Sequence, residues 1–147
     1  MRNMLYVDEN HYDQSYFECC FSSFAVHPQL ARIEGQRIAV RLTDRALWLA
    51  LCLYARQRSG TLFPLAVDTP LDACRRRAER SGCRWLIFGD GSEALDALQA
   101  IGSPESDATG EAALIQTSSG TTGEPKFIER SWSSIATEVE AYVRHFD

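Results

Sequence analysis

Residues 37–67, which read RIAVRLTDRALWLALCLYARQRSGTLFPLAV, carry the strongest signal for the fold. Residues 37–42 predict a short strand and residues 61–67 a second one. The stretch between them predicts a helix to about Arg58, which Thr43 or Asp44 caps and Gly60 ends. Because residues 46–55 are apolar almost all round, we expect this helix to be largely buried. Pro64 indicates either an edge position or a bend in the second strand.

Further strands and helices continue this alternation on both sides. Upstream we expect an irregular arm and then a helix over residues 15–26. Downstream the predicted elements are a helix over 68–81 that Gly82 ends, a strand over 84–88, a short helix over 92–100, a strand over 112–116, a strand over 126–130 and a helix over 131–146. This order predicts an α/β fold, layered, with a largely parallel sheet flanked by helices.

Charge and composition exclude several classes of protein. The 15 Lys and Arg residues against 20 Asp and Glu give a net charge of −5, which argues against nucleic acid as a partner. The longest apolar run, residues 46–55, is about half of what a bilayer helix needs, so we expect no membrane span. The five cysteines show no metal-ligand spacing, and the N-terminus has no signal-peptide pattern. We therefore expect free thiols and a cytoplasmic location.

Residues 116–126, which read QTSSGTTGEPK, form the segment with a chemical signature. They follow a predicted buried strand and combine hydroxyl groups, two glycines and a lysine. Glycines allow the backbone to approach a ligand, consecutive N–H groups bind anions, and the lysine adds a positive charge. The pattern therefore suits a polyphosphate, although a flexible Ser/Gly/Thr surface loop is the alternative. A Walker A phosphotransferase loop is a poor match, because Phe127 follows the lysine.

The stretch SSGTTGEPK at residues 118–126 resembles the phosphate-loop signature of the adenylate-forming enzymes. These include acyl- and aryl-CoA synthetases, fatty acyl-AMP ligases, luciferases and the adenylation domains of peptide synthetases. Residues 37–65 and 78–87 also resemble the N-terminal lobe of that family. Two departures stand out: Phe127 replaces the glycine that usually follows the lysine, and the segment before Arg37 is short. The resemblance divides the chain into an N-terminal arm and first helix (1–36) and a partial, incomplete AMP-binding N-terminal lobe (37–147).

The resemblance implies a two-step ligase that uses ATP and Mg²⁺. A carboxylic acid forms an acyl-adenylate with release of pyrophosphate, and the acyl group then passes to the thiol of coenzyme A or of a carrier protein. The residues that would wrap the β- and γ-phosphates are Ser118, Ser119, Gly120, Thr121, Thr122 and Gly123, and Lys126 would support the loop or the phosphate charge. No residue is assigned as a metal ligand, and the catalytic residues and the acyl substrate are not specified.

Several elements that the family carries downstream of the phosphate loop are missing from this chain. They are the adenine-binding strand, the acidic Mg²⁺-binding residue, the ribose-binding aspartate and the lysine of the small C-terminal lobe. We therefore expect the chain to be the N-terminal portion of such a ligase and inactive alone. The alternative is a non-catalytic truncated relative that binds a nucleotide or a protein. An open, truncated sheet would also favour self-association.

Other polar and aromatic residues give weaker signals. His11, His27 and His145 are expected at the surface or at helix caps. Trp132 is expected in the core, with a position beneath the loop or in a substrate channel as the alternative. A basic cluster either forms a solvated helix face or steers an anionic partner; its members are Arg75, Arg76, Arg77, Arg80 and Arg84.

Overall fold

The computed structural model of the chain describes residues 5–102, 110–118, 123 and 125–146. The strands are β1 (Leu5–Val7), β2 (Asn10–Tyr12), β3 (Arg37–Leu42), β4 (Thr61–Pro64), β5 (Trp85–Gly89), β6 (Gln99–Ala100), β7 (Ala113–Ser118) and β8 (Lys126–Ser131). The helices are α1 (Gln14–Val26), α2 (Arg45–Gln57), α3 (Leu71–Arg80), α4 (Glu93–Asp96) and α5 (Trp132–Phe146), with a 3₁₀ turn at Leu30–Arg32. No described helix has the length and apolar character needed to cross a membrane.

The main sheet has six strands in the order β6-β5-β3-β4-β7-β8. Its four central strands are parallel, with Ala39 of β3 opposite both Phe63 of β4 and Leu86 of β5. The two outer strands, β6 and β8, run antiparallel to their neighbours. The predicted α/β fold with a largely parallel sheet flanked by helices is therefore confirmed.

Each face of the sheet has its own hydrophobic core. Ile38, Val40 and Leu42 of β3 pack on the face that α1, α2 and α4 cover. Ala39, between them in sequence, packs on the opposite face with Cys74 and Ala78 of α3, since successive strand residues point to opposite faces. Residues that precede β3 also belong to the first core, because Phe24, Leu30 and Ile33 are fully buried in it.

Helix α2 begins and ends through specific backbone contacts. Of the two predicted caps, Thr43 and Asp44, the structure shows Asp44 as the N-cap. Its Oδ1 accepts a hydrogen bond from the Leu47 N–H at 2.9 Å. The helix ends just before Gly60 as predicted, and the Gly60 N–H bonds the Ala55 carbonyl at 2.8 Å, but the left-handed residue of the turn is Ser59, with φ of 56°. Gly60 is needed for space instead: a Cβ there would lie 2.7 Å from Cγ1 of Ile33.

The structure corrects other expectations from the sequence. The predicted irregular arm contains a two-stranded antiparallel hairpin, β1–β2, in which Tyr6 pairs with His11. The helix expected over residues 92–100 is a single turn, and Gln99–Ala100 form β6 instead. Pro64 does not mark an edge strand, since β4 lies between β3 and β7. It is tolerated there because β4 ends at Pro64, and the next N–H, that of Leu65, bonds the Val40 carbonyl at 2.8 Å.

Substitution of Gly60 by alanine is expected to destabilise the chain by roughly 1–3 kcal/mol, because the added methyl group overlaps the buried Ile33 side chain. Urea denaturation followed by circular dichroism measures the free energy of unfolding. Gly110→Ala is the matched control, since a Cβ there would meet nothing within 4 Å. Equal stability of the two variants would contradict the packing described at Gly60.

Candidate functional site

The candidate phosphate loop connects β7 to β8, which form an antiparallel hairpin. Ser118, the last residue of β7, pairs with Lys126, the first residue of β8. Because β7 is parallel to β4, Ser118 lies at the carboxyl end of the parallel strands. In open α/β sheets this is the edge at which ligands bind. The hairpin therefore holds both ends of the loop at this edge of the sheet.

Only some of the predicted phosphate-binding residues are described. Ser118 is half-buried, and Lys126 is exposed. Gly123 has φ of 114°, and nothing lies within 4 Å of a Cβ built there, so the backbone is the reason for glycine at this position. Ser119, Gly120, Thr121 and Thr122 lie outside the described residues, and their predicted role stays a prediction.

Arg41 is a further polar residue at this edge, and the sequence analysis did not single it out. Its guanidinium donates to the carbonyl oxygens of Val67 and Gly89, which follow β4 and end β5. It also lies 3.5 Å from a carboxylate oxygen of Asp90 and 4.6 Å from the ring centroid of Phe88. Arg41 thus joins the segments that leave the sheet at its carboxyl edge. A basic residue inside an otherwise apolar strand was the available signal.

Trp132 lies at the other end of β8, away from the loop. Its indole Nε1–H donates to the Gly60 carbonyl at 2.8 Å, and its ring packs against the first core. The expectation of a core position holds in part, because the half-buried ring packs against the core rather than within it; a position beneath the loop is excluded by its place after the last residue of β8. It also borders an apolar cavity of about 510 Å³ between α2 and α5, together with Leu49, Cys52 and Val139.

His27 and Arg75, two of the residues that the sequence analysis weighed, make contacts near the ends of helices. His27 ends α1, and its side chain caps the 3₁₀ turn that follows: its Nδ1 accepts from the backbone N–H of Gln29 and Leu30, and its Nε2 bonds the Leu95 carbonyl at 2.9 Å. Arg75 bonds the side-chain oxygen of Gln99 at 2.8 Å. These contacts identify His27 as a capping residue, as expected.

Burial raises the pKa of four thiols, which lie in or next to helices away from the candidate loop. The pKa of Cys52 is raised to about 12, and that of Cys83 to about 11 despite a hydrogen bond with Ser81. Burial also raises the pKa of Cys20 and Cys74. Since the thiolate is the nucleophilic form, none of these four thiols has the character of a reactive cysteine. Among the described residues, no three His, Cys, Asp or Glu side chains are grouped as metal ligands.

The fold and the position of the loop define an open α/β domain with a ligand edge at the carboxyl ends of its strands. No family model matches the chain. The chain is 29% identical over 141 residues to a 3,4-dihydroxybenzoate–[aryl-carrier protein] ligase of Bacillus anthracis, an alignment that covers 95% of the chain. It spans 32% of that relative, about a third of its length.

Solved structures that share this fold include N-terminal parts of enzymes that form or bind acyl-adenylates. The N-terminal subdomain of NpsA from Klebsiella oxytoca, in complex with anthranilyl-AMSN, superposes with a TM-score of 0.62 at 20% identity, over 87% of the chain and 36% of that structure. The o-succinylbenzoate CoA synthetase of Bacillus subtilis, with an acyl-adenylate intermediate bound, has a TM-score of 0.61 at 14% identity. That match covers 90% of the chain and 41% of the synthetase. The resemblance to the N-terminal part of the adenylate-forming enzymes is confirmed.

The raised thiol pKa values predict how stability depends on pH. In the unfolded chain these thiols ionise near pH 9, whereas burial keeps Cys83 protonated in the folded chain up to about 11. The stabilisation is therefore complete below pH 9 and is lost as the pH rises toward 11. Urea unfolding between pH 8 and pH 10.5 is expected to show a steeper loss for the wild type than for Cys83→Ala, by up to about 1.4 kcal/mol per pH unit.

Cys19→Ala is the control for this series, because Cys19 is exposed and should leave the slope unchanged. A slope that is the same for the wild type and for Cys83→Ala would show that burial of Cys83 does not hold its proton.

Proposed function

We propose that the chain is the N-terminal portion of an ATP-dependent carboxylic acid ligase and supplies its ATP phosphate loop. In the proposed reaction a carboxylate oxygen attacks the α-phosphorus of ATP, which gives an acyl-adenylate and pyrophosphate. The observation that carries the proposal is the pairing of Ser118 with Lys126, the two ends of the SSGTTGEPK sequence, at the carboxyl edge of a parallel sheet. The similarity over 95% of the chain to an aryl-carrier protein ligase supports it.

The proposed roles follow the chemistry of the loop. Hydroxyl and backbone N–H groups of residues 118–123 would donate to the β- and γ-phosphates, and Gly123 already has the positive φ that an anion-binding turn uses. Lys126, exposed at the start of β8, would add a charge that stabilises the departing pyrophosphate. Mg²⁺ would enter with ATP, and no residue of this chain is assigned to hold it.

The acceptor is a thiol of coenzyme A or of a carrier protein. The name of the Bacillus anthracis relative favours an aromatic acid as substrate and an aryl-carrier protein as acceptor. We therefore propose aryl acids as the first substrates to test, with 3,4-dihydroxybenzoate among them.

A non-catalytic binding module is the second candidate function. Helix α5 supports it, because its apolar stripe is exposed over its second half: Val139, Tyr142 and Val143 are more than half exposed, and Phe146 is 74% exposed. Such a stripe suits contact with a protein or with a second copy of the chain. This candidate predicts nucleotide or protein binding without ligase activity.

Lys126 is the only lysine in the sequence, which allows a direct test of the phosphate loop. MgATP is expected to protect Lys126 from acetic anhydride, measured by mass spectrometry, because a bound polyphosphate covers its amine. Lys126→Ala is expected to weaken MgATP binding by about tenfold to a hundredfold in calorimetry, since a charge-assisted contact is lost. Arg144→Ala removes an exposed charge elsewhere and is the matched control. Equal labelling with and without MgATP would contradict the proposal.

Catalysis is tested separately by carboxylate-dependent ATP–pyrophosphate exchange. The 147-residue chain alone is expected to give no exchange above background, because the adenine, ribose and Mg²⁺ elements that the resemblance implies are missing from it. The native gene product, whose intact mass should be measured first, is expected to catalyse exchange with an aryl acid if that mass is several times 16.5 kDa. Strong exchange by the short chain would overturn the assignment of an inactive portion.

A further inference from the structure

We propose that Phe127 is a positioning residue that fixes the return strand of the loop, β8, and with it the backbone of Lys126. The link from that position to phosphate binding rests on the proposed function. The mechanical part of the proposal, the anchoring of β8, stands on contacts of Phe127 alone and is testable without a ligand.

The aromatic contact of Phe127 comes from the neighbouring strands. Phe127 pairs with Thr117 in the hairpin, and its half-buried side chain packs against the second core. Its ring centroid lies 5.3 Å from that of Phe63 on β4, at an interplanar angle of 78°. Edge-to-face rings at this distance attract each other beyond the area that they bury. Phe63 is itself fully buried, so Phe127 rests on a rigid partner.

A second contact comes from helix α3. The guanidinium carbon of Arg80, the last residue of α3, lies 5.5 Å from the centroid of the Phe127 ring, within range of a cation–π interaction. The ring is therefore held by a strand and by a helix that covers the same face of the sheet. The basic cluster noted in the sequence contributes at least this residue to the loop support.

Glu129 provides a second tie two residues further along β8. It forms an ion pair with Arg37 of β3, on the same face of the sheet as Phe127. The intervening residue, Ile128, points to the other face and is 48% exposed. Among the described strands, β8 is an edge strand that pairs with β7 on one side only. The side chains of Phe127 and Glu129 thus supply the long-range contacts of the loop-proximal half of β8.

The consequence for the loop follows from chain connectivity. Lys126 is the residue before Phe127, and it pairs with Ser118 across the base of the loop. If the ring leaves its place, residues 126–129 keep their pairing with β7 but lose one of their two side-chain ties to the rest of the sheet and to α3, so the hairpin opens more readily at Ser118 and Lys126. A residue without a side chain at 127, as in the family pattern that the sequence resembles, would lack this anchor.

Hydrogen exchange with mass spectrometry on the ligand-free 147-residue chain tests the anchor. In Phe127→Ala, the amides of β8 are expected to exchange about tenfold faster than in the wild type, because local opening of the hairpin becomes easier. Phe127→Leu, which keeps apolar bulk but lacks the ring, should show an intermediate effect. It replaces the alanine variant in this test if that variant fails to fold. Phe127→Tyr, which keeps the ring, should restore protection.

Ile101→Ala is the matched control. Ile101 also packs partly buried against the second core, but it lies beside Arg84 at the opposite edge of the sheet. It is expected to lower overall stability without selective exchange in β8. Unchanged protection of β8 in Phe127→Ala, or the same selective loss in Ile101→Ala, would overturn the proposal.

MgATP titration of the same variants separates this inference from the proposed function. Phe127→Ala is expected to bind MgATP about tenfold more weakly and Phe127→Tyr like the wild type, because the cost of ordering Lys126 rises with the freedom of β8. Loss of β8 protection in Phe127→Ala with no MgATP binding by the wild type would support the anchor and refute the phosphate-loop function. Wild-type affinity in Phe127→Ala with β8 selectively opened would overturn the role of Phe127 in positioning Lys126.

Discussion

The burial of β3 on both faces, between parallel neighbours, is the constraint on which the rest of the structure depends. Ile38 and Ala39 are fully buried, although they point to opposite sides of the sheet. Each face therefore needs its own cover, which α1 and α2 provide on one side and α3 on the other. Helices that connect parallel strands across both faces bring the carboxyl ends of those strands to one edge.

The candidate site lies at the carboxyl ends of the parallel strands, and a second set of contacts fixes the other end of the β7–β8 hairpin. At the loop end, β7 brings Ser118 to the carboxyl edge of the parallel strands. At the far end, the Trp132 indole bonds the Gly60 carbonyl, and the same glycine is packed against Ile33. The segment that leaves β8 is thus tied to the turn that precedes β4. Phe127 and Glu129 act between these two ends.

The sequence predicts the elements whose signal is local. The apolar run of β3, the Asp44 cap and the last helix, expected over 131–146 and observed over Trp132–Phe146, were all available from residue types, and the Ser/Gly/Thr loop identified the candidate site. Contacts between distant residues gave no local signal. The β1–β2 hairpin lacks a Gly-containing turn, and Asp8 adopts the positive φ there instead. Phe127 looked like a departure from a pattern, because its partners, Phe63 and Arg80, lie far away in sequence.

The antiparallel pairing of Ser118 with Lys126 has a consequence for the entropy of ligand capture. A flexible segment that must bring its ends together loses freedom that grows with the logarithm of its length. Here the hairpin ladder has already joined those ends, from Ala113–Ser131 to Ser118–Lys126. An anion that binds between Ser118 and Lys126 would therefore not bear the cost of bringing these two ends together. The entropy cost of closing the loop is therefore already met when the sheet folds, before any ligand binds.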